Sequence, residues 1–381
     1  MLIVSVILFH LFLIFSFYCV GETIKKFKLH LTKSIIFGYS IFLVLNYFLY
    51  FIFKINIFYI LIIWFLIFLF SIIIFFTRPY EIKKNYFIEN FIIFLILLLS
   101  IIYILPSYYY GEQFYIFRGN HWDQFSYLSI GTLFSKYDFL ILINEQNFPF
   151  EFKHFKDINN LIYSRPLTSL LIGIYIRFLN IDIFLASYIF KITLILLSAI
   201  SFRSLVDNFN YTDFNKNLLT IVFSISFWLL YIFEIDAYSH LAAIPIFLII
   251  ISESLKLKKF EHIDILNICY FSILNSALFL IYPELFCVTL IIISGLFFEK
   301  LIRSKKKIFL IKNVFLILTI FILITLPSFK TNYLFLLGQY SLSVSDNKDW
   351  WGYFGAFVLG KENLVQNEYY ITQIKFFFSQ N

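Results

Sequence analysis

Leu167-Thr168-Ser169-Leu170-Leu171-Ile172-Gly173-Ile174-Tyr175-Ile176-Arg177-Phe178-Leu179 is the stretch that decides how this chain is threaded. At about 1.5 Å per residue it reaches only about 20 Å, short of a hydrocarbon core of roughly 30 Å, and Arg177 lies inside it. Read as a crossing, it would turn the basic segments Lys256–Lys259 and Lys300–Lys307 outward, against the tendency of Lys and Arg to stay inside. Read as an interfacial helix, it leaves five polar segments inside: 21–34, 77–85, 203–217, 253–265 and 299–307, holding 4, 3, 2, 3 and 5 Lys or Arg. The outer segments are far longer. They hold only Lys54, five basic residues in 106–166, Arg177 and four in 327–381. Parity and charge therefore agree on an interfacial Leu167–Leu179.

Working outward, the 381 residues are 61% hydrophobic and 14% charged, with a net charge of +7 and a mean hydropathy of +0.86. Soluble domains lie near 45–50% apolar and about 25% charged, so a water-soluble enzyme, a disordered chain and a collagen-like fibre are excluded. The apolar stretches near 20 residues are Leu2–Val20, Ile35–Phe53, Ile57–Phe76, Tyr86–Leu105, Ile183–Phe202, Leu218–Phe233, Leu241–Ser252, Leu266–Ile281, Leu285–Phe298 and Ile308–Leu326. The first has no basic residue ahead of it and is followed by Lys25, Lys26, Lys28 and Lys33, the reverse of a cleavable signal peptide, so it is expected to stay in the membrane.

The fold class expected is all-α, a polytopic transmembrane helical bundle of about ten crossings with both termini outside. Its large first extracytoplasmic loop, Pro106–Pro166, should contain short interfacial helices. Three regions follow: N-terminal membrane helices in 1–85, a core in 86–326 that includes the loop 106–166, and an extracytoplasmic tail in 327–381. Cys19, Cys269 and Cys287 lie in apolar stretches and match no metal spacing. Walker A, GxGxxG, GxSxG and HExxH patterns are absent, so ATP-driven transport and the familiar soluble hydrolase chemistries have no support.

A long aromatic loop of this kind is functional more often than disordered. It contains Gly119-Asn120-His121-Trp122-Asp123-Gln124-Phe125-Ser126-Tyr127-Leu128, whose apolar spacing predicts a short amphipathic helix with Asp123 in its first turn. An acid there complements the positive helix end, and it also sits where a lipid-linked substrate presents its headgroup. The loop ends in Tyr163-Ser164-Arg165-Pro166, with Ser164 and Pro166 suited to starting a helix. The guanidinium of Arg165, or of Arg118, is able to hold a phosphate with two parallel hydrogen bonds. In the next outer turn, Glu234, Asp236 and His240 are spaced to handle protons or to contribute ligands to a divalent cation. Glu284, in Tyr282-Pro283-Glu284, interrupts an apolar stretch and forms either a hairpin turn or the lining of a cavity. The cluster Trp350-Trp351-Gly352-Tyr353-Phe354 fits an interfacial belt or a sugar-stacking surface.

This arrangement resembles the GT-C superfamily of membrane glycosyltransferases, which take sugars from polyprenyl-phosphate donors. Asp123-Gln124-Phe125-Ser126-Tyr127 is similar to that family's first-loop acidic motif, with Gln124 where the second acid stands. Arg165-Pro166-Leu167 and Leu170-Leu171-Ile172-Gly173 resemble its loop-closing segment, and Glu234 and Asp236 fall in the position of its second acidic turn. The resemblance covers roughly residues 86–330. It implies an inverting sugar transfer in the cell (inner) membrane with the site on the extracytoplasmic side. Asp123 is the implied base, Glu234 or Asp236 a helper or metal ligand, and Arg118 or Arg165 the phosphate holder. His121, Tyr127, His240 and Glu284 are the further substrate-binding candidates. A divalent cation is the one cofactor left open. The partners implied are a polyprenyl-phosphate-linked sugar, a lipid or glycan acceptor and membrane lipids, with no nucleic acid. A polysaccharide polymerase of the O-antigen type, relying on outer arginines, is the alternative. A flippase or transporter ranks lower, because only Arg177, Lys191 and Lys312 place charge within helices.

Overall fold

A computed structural model describes residues 2–25, 31–77, 86–110, 122–143, 166–234, 237–255, 265–304 and 307–344. Among them the secondary structure is helical, as expected where a bilayer offers backbone amides no water to bond. The α-helices are α1 (Leu2–Lys25), α2 (Leu31–Tyr47), α3 (Ile57–Thr77), α4 (Tyr86–Tyr110), α5 (Trp122–Lys136), α6 (Phe139–Ile143), α7 (Pro166–Leu179), α8 (Ile183–Val206), α9 (Asp213–Ser224), α10 (Phe227–Glu234), α11 (Tyr238–Leu255), α12 (Ile265–Ile281), α13 (Pro283–Arg303) and α14 (Lys307–Val344). A π-helical turn, Phe48–Ile52, extends α2.

The chain is a multi-pass membrane protein. Nine segments among the described residues are long and apolar enough to cross a bilayer, with α9 and α10 together forming one of them. The tenth expected crossing is α12, whose 17 residues span only about 26 Å. Apart from its exposed start it is mostly buried, packed against α2, α11 and α13. The centre of the bundle is α8, with 83% of its span buried, whereas only 11% of α13 is buried.

Polar contacts between helix ends sort the bundle into two levels. At one face, the Tyr188 hydroxyl near the start of α8 donates to the carbonyl of Tyr103 near the end of α4. Tyr50, close to the end of the extended α2, reaches the Tyr137 carbonyl just after α5 at 3.4 Å. At the opposite face, Lys33 of α2 pairs with Glu253 of α11, Thr23 of α1 reaches Ser71 of α3, and Asn208 reaches Ser252. Arg203, 1% exposed, is held there by Asp207, Asp213 and Asn217. Since the end of α4 and the start of α8 are level, α5, α6 and α7 make no net crossing.

Tyrosines donate to backbone carbonyls at two breaks within spans. The interruption between α9 and α10 leaves the Ser224 carbonyl to accept from the Tyr103 hydroxyl at 3.0 Å. Pro245 lies inside α11, where it removes the donor that would serve the Leu241 carbonyl, and the Tyr39 hydroxyl donates to the adjacent Ala242 carbonyl at 3.2 Å. The last helix departs from expectation. The reading from sequence ends that span at Leu326 and begins the tail at Pro327, but α14 continues through Pro327 to Val344, 38 residues in all. The chain divides into two compact units, Met1–Asn332 and Tyr333–Asn381; the site below lies in the first.

Candidate functional site

The short helix α7 positions the site. Pro166 is its first residue, and Asn180, in the left-handed region at φ 51°, ends it with a reversal into α8. Asp182 caps α8 by accepting from the amides of Phe184 and Leu185 at 2.9 and 3.0 Å. Every residue from Pro166 to Tyr175 is buried, so α7 is enclosed by protein for most of its length. Tyr175 ties it to α8, its hydroxyl donating to Thr193 Oγ1 at 3.1 Å; burial pushes that phenol above its usual range and keeps it a neutral donor.

Glycines set how closely α5 lies on α7. A Cβ on Gly173 would stand 2.8 Å from the Gly131 carbonyl oxygen, and one on Gly131 would stand 3.0 Å from Ile172 and 3.1 Å from the Ser169 carbonyl. Contacts advance in the same order along both helices, from Gly131 against Ser169 to Phe134 against Gly173. The two helices therefore run in the same sense and bring their N-terminal ends to one place.

At that place three segments distant in the chain meet through hydroxyls. Tyr127 of α5 lies 2.7 Å from Ser239 Oγ of α11, and Thr168 Oγ1 of α7 lies 3.0 Å from the same atom. Ser239 and Thr168 are fully buried, and the ring of Tyr238 meets that of Tyr127 edge-on at 5.8 Å. Asp123 stands in the first turn of α5, one turn before Tyr127. In sequence, Arg165 directly precedes α7, and Glu234, the last residue of α10, and Asp236 lie just ahead of α11.

A cation sits under the joint. Lys191 of α8, 7% exposed, donates to the Phe233 carbonyl at 3.1 Å and lies 4.3 Å from the centroid of the Phe233 ring. That carbonyl belongs to the last turn of α10, the negative end of the helix, where a cation is favoured. Rings of Tyr103 and Tyr188 close around Phe233 at 5.0 and 5.4 Å. On the other side of Ser239, His240 Nε2 lies 2.6 Å from the Tyr282 hydroxyl, and Glu284 follows in the first turn of α13.

Of the residues singled out from sequence, Tyr127 is buried in the joint, while His240 and Glu284 flank it on the α11–α13 side. Asp123 and Glu234 are placed by their helices, their side chains lying outside the described set. Arg118, His121, Arg165 and Asp236 lie outside the described residues, as does the tryptophan-rich cluster at 350–354. Among the described residues no three His, Cys, Asp or Glu side chains gather as metal ligands. The three cysteines are free.

Sequence reasoning missed Thr168 and Ser239, and it weighed Lys191 only as one of three charges within helices, too few to favour a transporter. The available signal for Lys191 was its isolation in an apolar helix, since ionisable groups within membrane spans are functional candidates by default.

No family model, curated protein or solved structure matches the chain.

Proposed function

We propose that this chain is a glycosyltransferase of the cell membrane, moving a sugar from a polyprenyl-phosphate donor to a lipid, glycan or protein acceptor on the extracytoplasmic face. The observation that supports it most is the hydroxyl joint of Tyr127, Ser239 and Thr168, which gathers three segments. These are the helix carrying Asp123, the helix following Arg165 and the helix that follows Glu234 and Asp236 in the chain. Those are the segments such a transfer needs at one point.

In the proposed reaction the Asp123 carboxylate takes the proton of the acceptor hydroxyl as its oxygen attacks the anomeric carbon. The bond to the donor oxygen breaks with its electron pair on the departing lipid phosphate. That phosphate is stabilised by Arg165 or Arg118 and by the positive N-terminal ends of α5 and α7, which the parallel packing brings together. Glu234 and Asp236 assist the base or hold a divalent cation. Lys191 fixes the end of α10, and so the position of the turn that bears both acids.

The test compares envelope lipids and glycans, by mass spectrometry, from cells expressing the native chain or Asp123→Asn at equal levels. A species lighter by one glycosyl residue in the variant supports the proposal. Identical profiles, with the native chain also making no difference against an empty vector, would overturn it.

A further inference from the structure

Away from this joint, α12, α13 and α14 line an apolar cleft of about 150 Å³. It is open at the surface, with Leu290 and Leu318 partly exposed along it. Its walls include Phe271, Leu290, Ile293, Phe297, Ile317 and Leu318, with Ser254, Asn275 and Ser294 adding little polarity. Lys300 is the one charged residue among its lining residues.

The cleft is directional. Lys300, Ser254 and Leu310 define one end, close to the ends of α13 and α11 and the start of α14. This is the level of the Lys33–Glu253 pair, opposite the hydroxyl joint. At the other end Phe286 and Phe321 stack at 5.0 Å, and Phe279 meets them at 5.3 and 5.7 Å. These rings stop the cleft. Between them Ser272 donates to the Ile317 carbonyl at 3.0 Å and holds α14 against α12. From Lys300 to Phe286 is 14 residues of helix, about 21 Å, so the run covers the roughly 15 Å depth of one leaflet and ends just beyond the midplane of a core roughly 30 Å thick.

We infer that this cleft holds one anionic phospholipid of the leaflet facing Lys300. One acyl chain lies along α13 and ends on the phenylalanine stop, and its phosphate lies at Lys300. Charge complementarity fixes the headgroup: residues 299–307 carry five Lys or Arg, Lys300, Arg303, Lys305, Lys306 and Lys307, and a single acid, Glu299. That acid is occupied by Arg303 at 3.1 Å, on the exposed surface. Basic pockets between membrane helices are where anionic headgroups are recognised. The site is on the opposite level from the joint and does not depend on the proposed transfer.

The test is native mass spectrometry of the full chain in detergent, titrated in turn with phosphatidylglycerol, phosphatidylcholine and a polyprenyl phosphate. The native chain should retain one phosphatidylglycerol about fivefold more tightly than phosphatidylcholine, the worth of one cation near a headgroup. Lys300→Gln should bring the two within about twofold, and Ile317→Trp, which fills the cleft, should weaken both. Lys300 is partly exposed in the last turn of α13, so its variant tests the idea even if Ile317→Trp fails to fold. Equal retention of the two phospholipids by the native chain, or a preference that survives Lys300→Gln, overturns the inference. So does a polyprenyl phosphate that displaces phosphatidylglycerol in a Lys300-dependent way, which would assign the cleft to an isoprenoid instead.

Discussion

The hydroxyls of Tyr127 and Ser239, 112 positions apart in the chain, lie 2.7 Å from one another, and Thr168 shares the same serine at 3.0 Å. A serine hydroxyl donates once and accepts twice, so both neighbours are served by one atom. The three side chains form a unit, and removing one member leaves the others to reorganise in a buried space.

Tyr127→Phe and Thr168→Val should each lower stability by about 0.5–1.5 kcal/mol, the usual net value of a hydrogen bond. Because both end on Ser239, the double variant should depart from the sum by about 0.5 kcal/mol or more. Unfolding of the purified chain in detergent measures this. Strict additivity would mean that the joint is not one network.

Lys191→Met keeps much of the side chain's bulk and removes the ammonium that binds the Phe233 carbonyl and lies over its ring. The turn after α10 should loosen. A cysteine at Ala237 should then react with a soluble thiol reagent several-fold faster than in the native background, with stability lower by about 1–3 kcal/mol. An unchanged labelling rate would show that Lys191 does not position the turn.

Asp123→Asn retains size and most of the capping ability but removes the proton acceptor. Transfer should fall by roughly 10²–10⁴-fold with expression unchanged. Arg118→Lys and Arg165→Lys should impair transfer where the guanidinium fork binds phosphate. Normal turnover in Asp123→Asn shifts the base to Glu234 or Asp236, and normal turnover in Arg118→Ala and Arg165→Ala removes both arginines from the phosphate.

The level contact of Tyr188 with Tyr103 predicts the threading. Cysteines placed at Lys258 and Lys305 should resist a membrane-impermeant thiol reagent in intact cells, while one at Lys153 should react. Labelling at 258 or 305 contradicts this orientation.

Glycines at the α1–α2 crossing predict a sharp contrast in stability. A Cβ at Gly38 would lie 2.0 Å from the Phe17 carbonyl oxygen, and one at Gly21 equally close to that of Ser34, whereas Gly295 has nothing within 4 Å. Gly38→Ala or Gly21→Ala should force the helices apart at a cost of about 1–3 kcal/mol or more. Gly295→Ala should leave the melting temperature unchanged or raise it slightly. Equal melting temperatures for all three would contradict the close crossing.

Hydrophobic length and the placement of Lys and Arg are local properties, so the sequence alone determined the helical class, the membrane spans, the long central loop and the non-crossing of Leu167–Leu179. It also marked the helix that carries Asp123 and the turn before α11, because caps and first-turn acids are read within a few residues. Tertiary structure alone decided that α7 is enclosed rather than merely short, since burial depends on Gly131 and Gly173 meeting from separate helices. It also decided that Pro327 does not end the last helix and that Tyr39 reaches α11 beside Pro245. Lys191, Thr168 and Ser239 became site candidates only when packing set them beside Phe233 and Tyr127. A hydroxyl or an ammonium in an apolar helix records that it needs a partner, and only the fold supplies which one.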